Sequence, residues 1–136
     1  MTKTLLIVFH SMTGGTRQMA QAAARAAEGE GVAVRLLEAR DTTAEDVLAA
    51  DGFIFATPEN LAAIAGMMKD FFDRTYYAAL GRIEGRVYGL MVCAGSDGHN
   101  AVRQVARIAT GWRLRAVAEP IIVCTHAQTS EAILAP

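Results

Sequence analysis

Hydroxyl side chains and glycines are concentrated near the start of the chain, and their combination can bind a phosphate group. Ser11, Thr13, Gly14, Gly15 and Thr16 lie within one short segment. Hydroxyls donate hydrogen bonds to phosphate oxygens, and glycines let backbone N–H groups approach closely. The segment lacks the Gly-Lys-Ser/Thr of a nucleoside-triphosphate loop and the Gly-x-Gly-x-x-Gly of a dinucleotide site. We predict a phosphate site for another ligand; a tight turn with an N-cap threonine is the simpler alternative.

The flanking elements place this segment at the start of a helix. Residues 5–9 are all apolar and predict a strand buried on both faces, and an alanine-rich helical pattern follows over 17–28. The first N–H groups of a helix have no partner within it, and the helix dipole is positive there. This junction therefore favours an anion.

Strands and helices alternate along the rest of the chain. Further strands are predicted over 32–37, 52–56 and 87–93, with a last one over 114–117 and 121–124 that is interrupted near Pro120; the helices between them are predicted over 42–50, 68–79 and 101–110. The alternation predicts the α/β class, with a doubly wound five-stranded parallel sheet of order 2-1-3-4-5. A fifth helix is expected to be missing or truncated to a turn, which would bare an apolar face of the sheet.

Composition excludes several function classes. The 136 residues predict one domain, 1–136, and 52% apolar with 20% charged residues exclude disorder. A net charge of −1 gives no sign of a nucleic-acid partner, and no apolar run is long enough to span a membrane. We expect a cytoplasmic protein without nucleic acid or membrane as a partner.

The cysteines and histidines predict no metal site. Cys93 and Cys124 lie in apolar runs and are predicted to be reduced thiols of the core. The three histidines, His10, His99 and His126, do not have the spacing of zinc ligands.

Three polar loops are predicted to meet at one edge of the sheet. In the order 2-1-3-4-5 the loops after strands 1, 3 and 4 converge at the carboxyl ends of the strands, and here they cover 10–16, 57–61 and 94–100. Their convergence predicts the binding site. Pro58 is expected to end its strand because it has no N–H to donate. In these loops, Glu59 is either a ligand contact or a solvated acid, and Asp97 or Asn100 is expected to cap the following helix.

Two parts of the sequence resemble known flavoprotein families. Residues 11–16, SMTGGT, resemble the Ser/Thr-x-Thr-Gly-x-Thr phosphate loop of the flavodoxin family. Residues 53–58 and 65–75 are similar to NAD(P)H:quinone reductases of the tryptophan-repressor-binding-protein type and to NADPH-dependent FMN reductases. The resemblance spans nearly the whole chain and implies a flavodoxin-like fold.

The resemblance also implies a cofactor and a reaction. It implies bound FMN, NAD(P)H as the electron donor, and a quinone or similar small molecule as the acceptor. The implied FMN contacts are Ser11, Met12, Thr13, Gly14, Gly15 and Thr16 at the phosphate, Thr57, Pro58, Glu59, Asn60 and Leu61 along the ring, and Gly95, Ser96, Asp97, Gly98 and His99 on its far side. The flavin would carry the chemistry, with His99 a candidate proton donor. The resembled families associate, so a homodimer or homotetramer is expected.

Two other functions stay open. A one-electron carrier flavodoxin would bind a partner protein and would not be an enzyme, but the near-neutral charge and the lack of an aromatic residue in 57–61 and 94–98 argue against it. A non-flavin module on the same fold would bind another phosphorylated ligand. A phosphoacceptor receiver domain is excluded, because residues 9–11 are Phe, His and Ser and not an acidic pair.

Overall fold

A computed structural model describes residues 2–127 and 129–134 of the chain. The strands are β1 (Thr4–Phe9), β2 (Ala33–Glu38), β3 (Gly52–Asn60), β4 (Ala63–Ile64), β5 (Val87–Ala94), β6 (Arg115–Ala116) and β7 (Ile121–Cys124). The helices are α1 (Gly15–Glu28), α2 (Ala44–Ala49), α3 (Gly66–Ala79), α4 (His99–Gly111) and α5 (Ser130–Ile133), and a 3-10 turn, Ala39–Asp41, precedes α2.

The sheet confirms the predicted doubly wound order. Parallel strands run in the order β2-β1-β3-β5, and the next position is shared by β6 and β7. β6 pairs with Val87 and Tyr88 at the start of β5, and β7 pairs with its last four residues. The two short strands together form the fifth strand position, and its interruption includes Pro120 as predicted.

An aromatic core fixes one face of the sheet against α2, α3 and α4. Phe55 of β3 stacks on Phe53 and contacts Phe71 and Phe72 of α3, and these two contact Trp112 after α4; all five side chains are buried. The ring centroids of Phe55 and Phe72 are 5.1 Å apart. This packing holds the carboxyl ends of β3 and β5 in a rigid frame.

The other face is only partly covered. α1 packs over Ile7 and Phe9 of β1, whereas Val117, Ile121 and Val123 have exposed side chains. α5 is a single turn of four residues. The bared apolar surface that the sequence predicts is therefore present. In the part of the chain described, no helix combines the length and the hydropathy that crossing a membrane requires.

One prediction about a strand end is wrong. β3 does not stop at Pro58 but continues to Asn60 and turns back onto β4. Ala56 directs its carbonyl towards β1, where it accepts a hydrogen bond from the His10 N–H at 3.2 Å. Because backbone groups alternate sides along a strand, Pro58 faces that same side, beyond the end of β1 at Phe9. Its missing N–H therefore removes no ladder bond.

Two smaller corrections concern Cys124 and α4. Both cysteines are free, but only Cys93 is buried; Cys124 is exposed because β7 is an outer strand with little packed over it. α4 begins at His99 and not at Ala101, because a side chain from β3 caps its first turn.

Candidate functional site

The carboxyl ends of β1, β3 and β5 surround a cavity of about 520 Å³. Its described lining residues come from the three predicted loops and from the C-terminal segment: Met12, Thr13, Thr16, Pro58, Glu59, Asn60, Leu61, Cys93, Ala94, Gly95, Thr125, Ala127 and Ile133. The loops therefore converge as the topology requires. None of these lining residues carries a positive charge.

The phosphate loop forms the start of α1 and lies against the C-terminal segment, since a Cβ on Gly14 would be 3.2 Å from Leu134 Cδ1. Gly14 is the N-cap residue, with a φ of 105°, and within the described residues no side chain caps the helix and no acidic residue lies in its first turn. Ser11 Oγ accepts a hydrogen bond from the Gly14 N–H at 3.0 Å, so Ser11 shapes the turn. A Cβ on Gly15 would lie 2.7 Å from Cys93 Sγ and 2.9 Å from Ile133 Cγ2, so only glycine lets the loop lie this close to β5 and α5.

Thr16 points to a ligand at this helix start. Its side chain is 2% exposed and lines the cavity. Among the described residues its Oγ1 has no nitrogen or oxygen partner, and its polar neighbour is the Cys93 thiol, a weak hydrogen-bonding group. A buried polar group without a partner costs about 1–3 kcal/mol, so native proteins rarely keep one without a reason. Burial raises the pKa of the neighbouring Cys93 thiol. The Thr16 hydroxyl opposes this upward shift and Cys124 adds to it, so the Cys93 thiol stays neutral.

The β3–β4 hairpin forms the second wall of the cavity. Thr57 is buried behind this wall, where its hydroxyl donates to the Pro58 carbonyl at 2.9 Å and accepts from the Ala65 N–H at 3.3 Å. Leu61 and Ala62 form the hairpin tip, both with positive φ. Pro58, Glu59, Asn60 and Leu61 line the cavity as predicted, whereas Thr57 supports them from within.

Glu59 joins this hairpin to α4. Its two carboxylate oxygens accept hydrogen bonds from the N–H groups of Gly98, at 2.9 Å, and Ala101, at 3.0 Å. The sequence predicts Glu59 as either a ligand contact or a solvated acid. Neither prediction includes the role seen in the structure, where the Glu59 carboxylate caps α4. Of the two expected caps, Asp97 also contributes, because its carboxylate accepts a hydrogen bond from the His99 N–H at 3.3 Å, whereas the Asn100 side chain does not cap α4.

The turn after β5 lies largely at the rim. Gly95 lines the cavity, whereas Ser96, Asp97 and His99 are exposed and outside its described lining. The hydrogen bond between His99 Nδ1 and the Asp97 carboxylate holds the pKa of Asp97 below its usual value. The side chain of Asn100 donates to the Ala62 carbonyl at 2.6 Å and so ties α4 to the hairpin tip. A proton-donating role for His99 stays a prediction.

The sequence analysis missed four lining residues, Cys93, Thr125, Ala127 and Ile133, and it placed Ala94 in a site loop without giving it as an FMN contact. The rule that selected the three loops, proximity to a strand's carboxyl end, also applies to Ala94 and Thr125. For Ile133 no sequence signal exists, because only packing places α5 beside the phosphate loop. Within 2–127 and 129–134, no cluster of His, Cys, Asp or Glu side chains could hold a metal ion.

Comparison with known proteins identifies a family and two curated relatives. The family model of NADPH-dependent FMN reductases matches residues 4–129. A flavodoxin of Aquifex aeolicus (strain VF5) is 38% identical over 94 residues, which cover 68% of this chain and 49% of that relative. An NAD(P)H dehydrogenase (quinone) of Acidithiobacillus ferrooxidans (strain ATCC 53993 / BNL-5-31) is 30% identical over 115 residues, covering 68% of this chain and 58% of that relative. The chain spans about half the length of these curated relatives.

Solved structures share the fold. The flavodoxin of Streptococcus pneumoniae TIGR4 matches with a TM-score of 0.80 and 28% sequence identity, covering 96% of this chain and 90% of that chain. This similarity confirms the flavodoxin-like fold that the sequence resemblance implies.

Proposed function

Because the chain belongs to the family of NADPH-dependent FMN reductases, we propose that it binds FMN and transfers electrons from NAD(P)H to a quinone or a similar small acceptor. The observation that carries this proposal is the buried Thr16 hydroxyl at the start of α1, which has no nitrogen or oxygen partner among the described residues. The relatives named flavodoxin and NAD(P)H dehydrogenase (quinone) support a flavoprotein oxidoreductase.

The first turn of α1 provides the donors for the FMN phosphate. The first helical hydrogen bond of α1 runs from the Gln18 N–H to the Gly14 carbonyl at 3.0 Å, so the N–H groups of residues 15–17 have no helical acceptor. Thr16 Oγ1 adds a hydroxyl donor, and Thr13 lines the cavity nearby. These neutral donors and the helix dipole would hold a phosphate without a lysine or an arginine.

The hairpin and the turn after β5 would hold the flavin ring. Pro58 and Leu61 on one side and Ala94 and Gly95 on the other line the cavity, and the Glu59 hydrogen bonds keep these walls together. FMN, when bound, would accept a hydride and then release electrons. No aromatic side chain is present in the described lining. A ring face that no aromatic side chain stacks on suits direct approach by a nicotinamide and then by an acceptor.

A visible absorption spectrum tests this function. We expect the purified protein, after addition of FMN and removal of excess, to retain a flavin band. Anaerobic NADH or NADPH should bleach the band, and a quinone should restore it. Failure to retain FMN would contradict the cofactor assignment.

A one-electron carrier is the second candidate, and the flavodoxin relative at 38% identity favours it. A carrier would retain FMN and accept electrons from dithionite, but NADH and NADPH would leave its flavin band unchanged. The same spectra therefore separate the two functions.

A further inference from the structure

The C-terminal segment packs directly on the phosphate loop. We call residues 129–134 the strap; it contains α5 and Leu134. Ile133 lines the cavity, and a Cβ added to Gly15 would lie 2.9 Å from Ile133 Cγ2. A Cβ added to Gly14 would lie 3.2 Å from Leu134 Cδ1. The strap therefore places apolar side chains against both loop glycines, and no further carbon atom fits between Gly15 and Ile133.

This contact covers the donors that a phosphate would use. The Thr16 side chain is 2% exposed, and its Oγ1 is buried. A phosphate must come within hydrogen-bond distance of that hydroxyl and of the first N–H groups of α1, so a neighbouring element has to move to admit it. A phosphate against the apolar side chain of Ile133 would also lose hydrogen bonds to water without replacing them. The described position of the strap and a phosphate at α1 therefore exclude one another.

Hydrogen bonds hold the chain to the sheet as far as His126. β5, which carries Cys93, is fixed between β3 and β7. After β7, the N–H groups of Thr125 and His126 donate to carbonyls at the end of β5, each at 2.9 Å. His126 has a φ of 53°, which ends the extended backbone that began in β7. Among the described residues, His126 is the last that a hydrogen bond joins to the sheet.

Apolar contact holds the strap in place. Its described hydrogen bonds are internal: the Ala132 N–H donates to Thr129 Oγ1 at 3.2 Å, and the Ile133 N–H donates to the Thr129 carbonyl at 2.9 Å. A single helical turn is not stable by itself in water. Loss of the contacts made by Ile133 and Leu134 would therefore release the strap, whereas β5 and α1 stay in place.

We propose that the strap is autoinhibitory: with Ile133 on Gly15 it closes the phosphate site, and FMN binds only to the form in which the strap has moved aside. The inference rests on the proposed function and adds its regulation. The apparent Kd for FMN then equals the intrinsic Kd divided by the open fraction. A weaker strap contact raises the open fraction and the association rate of FMN, and leaves its dissociation rate unchanged.

Binding kinetics test the strap without turnover. Stopped-flow mixing with FMN, followed by flavin fluorescence, gives the association and dissociation rates. We expect Ile133→Ser to raise the association rate and to lower the Kd, each by about tenfold, because the closed form loses an apolar contact. Leu134→Ser should act in the same direction. Riboflavin has no phosphate, so its Kd should be the same for the wild type and Ile133→Ser.

Labelling of Cys93 detects the same opening without FMN. Cys93 and Cys124 are the two cysteines of the chain, so a thiol reagent reacts with Cys93 alone in a Cys124→Ser background. The Cys93 thiol lies close to the strap, since a Cβ on Gly15 would touch both Cys93 Sγ and Ile133 Cγ2. We expect Ile133→Ser to increase the rate of labelling by 5,5′-dithiobis(2-nitrobenzoate) several-fold.

A control variant separates opening from a general change in the strap. Glu131 is exposed, and Glu131→Asp keeps its charge, so this variant should retain the wild-type association and labelling rates. Ile133→Ser should melt near the wild-type temperature. A large fall in Tm would make α5 part of the folded core and would overturn the inference.

Failure of the inference is distinguishable from failure of the proposed function. If neither the wild type nor Ile133→Ser binds FMN, the proposed function fails and this inference with it. If FMN binds but Ile133→Ser leaves the association and labelling rates unchanged, only the inference fails. A higher Kd in Ile133→Ser would also overturn it, because Ile133 would then be a wall of the site that holds bound FMN.

Discussion

Glu59 of β3 accepts a hydrogen bond from the backbone N–H of Gly98 at 2.9 Å, so a strand residue caps the start of α4. Its second carboxylate oxygen binds the Ala101 N–H at 3.0 Å. Two helix starts therefore lie beside the cavity, but a carboxylate already occupies one of them. Of these two helix starts, that of α1 carries no carboxylate, which is why we propose the phosphate there and not at α4.

Removing the Glu59 carboxylate should loosen this wall of the site. Glu59→Ala leaves two N–H groups of α4 without acceptors, and we expect a loss of about 1–2 kcal/mol in the free energy of unfolding of the FMN-free protein. FMN affinity should fall as well, because the hairpin is no longer fixed to the turn after β5. Urea unfolding and FMN titration measure the two effects.

A matched variant controls for the lost charge. Glu30 is an exposed acid beyond the end of α1, and Glu30→Ala should change neither quantity. Wild-type stability in Glu59→Ala would show that the cap contributes nothing to the fold.

Gly111 is required by the packing of Tyr76. The Tyr76 ring stacks on Trp112 with centroids 5.6 Å apart, and a Cβ on Gly111 would lie 2.3 Å from the Tyr76 hydroxyl oxygen. We expect Gly111→Ala to destabilise the protein by about 1–3 kcal/mol, although alanine favours helix. Thermal or urea unfolding gives the value.

Two further variants assign that cost to the contact. Tyr76→Phe removes the oxygen nearest the new Cβ, so Gly111→Ala should cost much less in that background. Gly66→Ala, at the first residue of α3, has no atom within 4 Å of its new Cβ and should be neutral or stabilising. Equal costs in both Tyr76 backgrounds would exclude the steric explanation.

The sequence predicts the loops of the site because their signals are local. Residues 5–9 and the hydroxyl-rich segment that follows are adjacent, and the strand order then brings 57–61 and 94–100 to the same edge. The Glu59 cap has no such signal, since the Gly98 N–H that donates to its carboxylate is 39 residues away in the sequence. Tertiary packing creates that pair, and no spacing rule reveals it.

The error at Pro58 has the same origin. The rule that proline ends a strand assumes a neighbour on both sides. Here β1 ends at Phe9, so the side of β3 that Pro58 faces has no strand to pair with. Only the relative lengths of the strands, a property of the folded sheet, decide whether the missing N–H matters.

His10 should make stability depend on pH. Burial lowers the pKa of His10, with Glu38 opposing and Arg40 reinforcing the shift. The unfolded chain therefore takes up the proton first, at about pH 6.5. Stability is fully present above that pH and decreases as the pH falls from it towards the lower folded-state pKa.

A histidine variant tests the sign of this effect. We expect His10→Gln to lose less free energy of unfolding than the wild type between about pH 7.5 and pH 5.5, measured in urea. His126→Asn replaces an exposed histidine and should retain the wild-type pH dependence. A steeper loss in His10→Gln would show that protonated His10 is stabilised by the fold.

A substitution at Thr16 distinguishes a threonine that donates to a ligand from one that only shapes a turn. Thr16→Val keeps the shape of the side chain but removes a buried hydroxyl that has no partner. The FMN-free protein should therefore be as stable as the wild type or more stable, whereas FMN affinity should fall roughly tenfold for one lost hydrogen bond to a charged group.

Thr75→Val is the control, because the buried Thr75 hydroxyl donates to the Phe71 carbonyl at 2.8 Å, far along α3. That variant should leave FMN affinity unchanged. If Thr16→Val lowered stability and retained full FMN affinity, Thr16 would be a structural residue and the phosphate would bind without it.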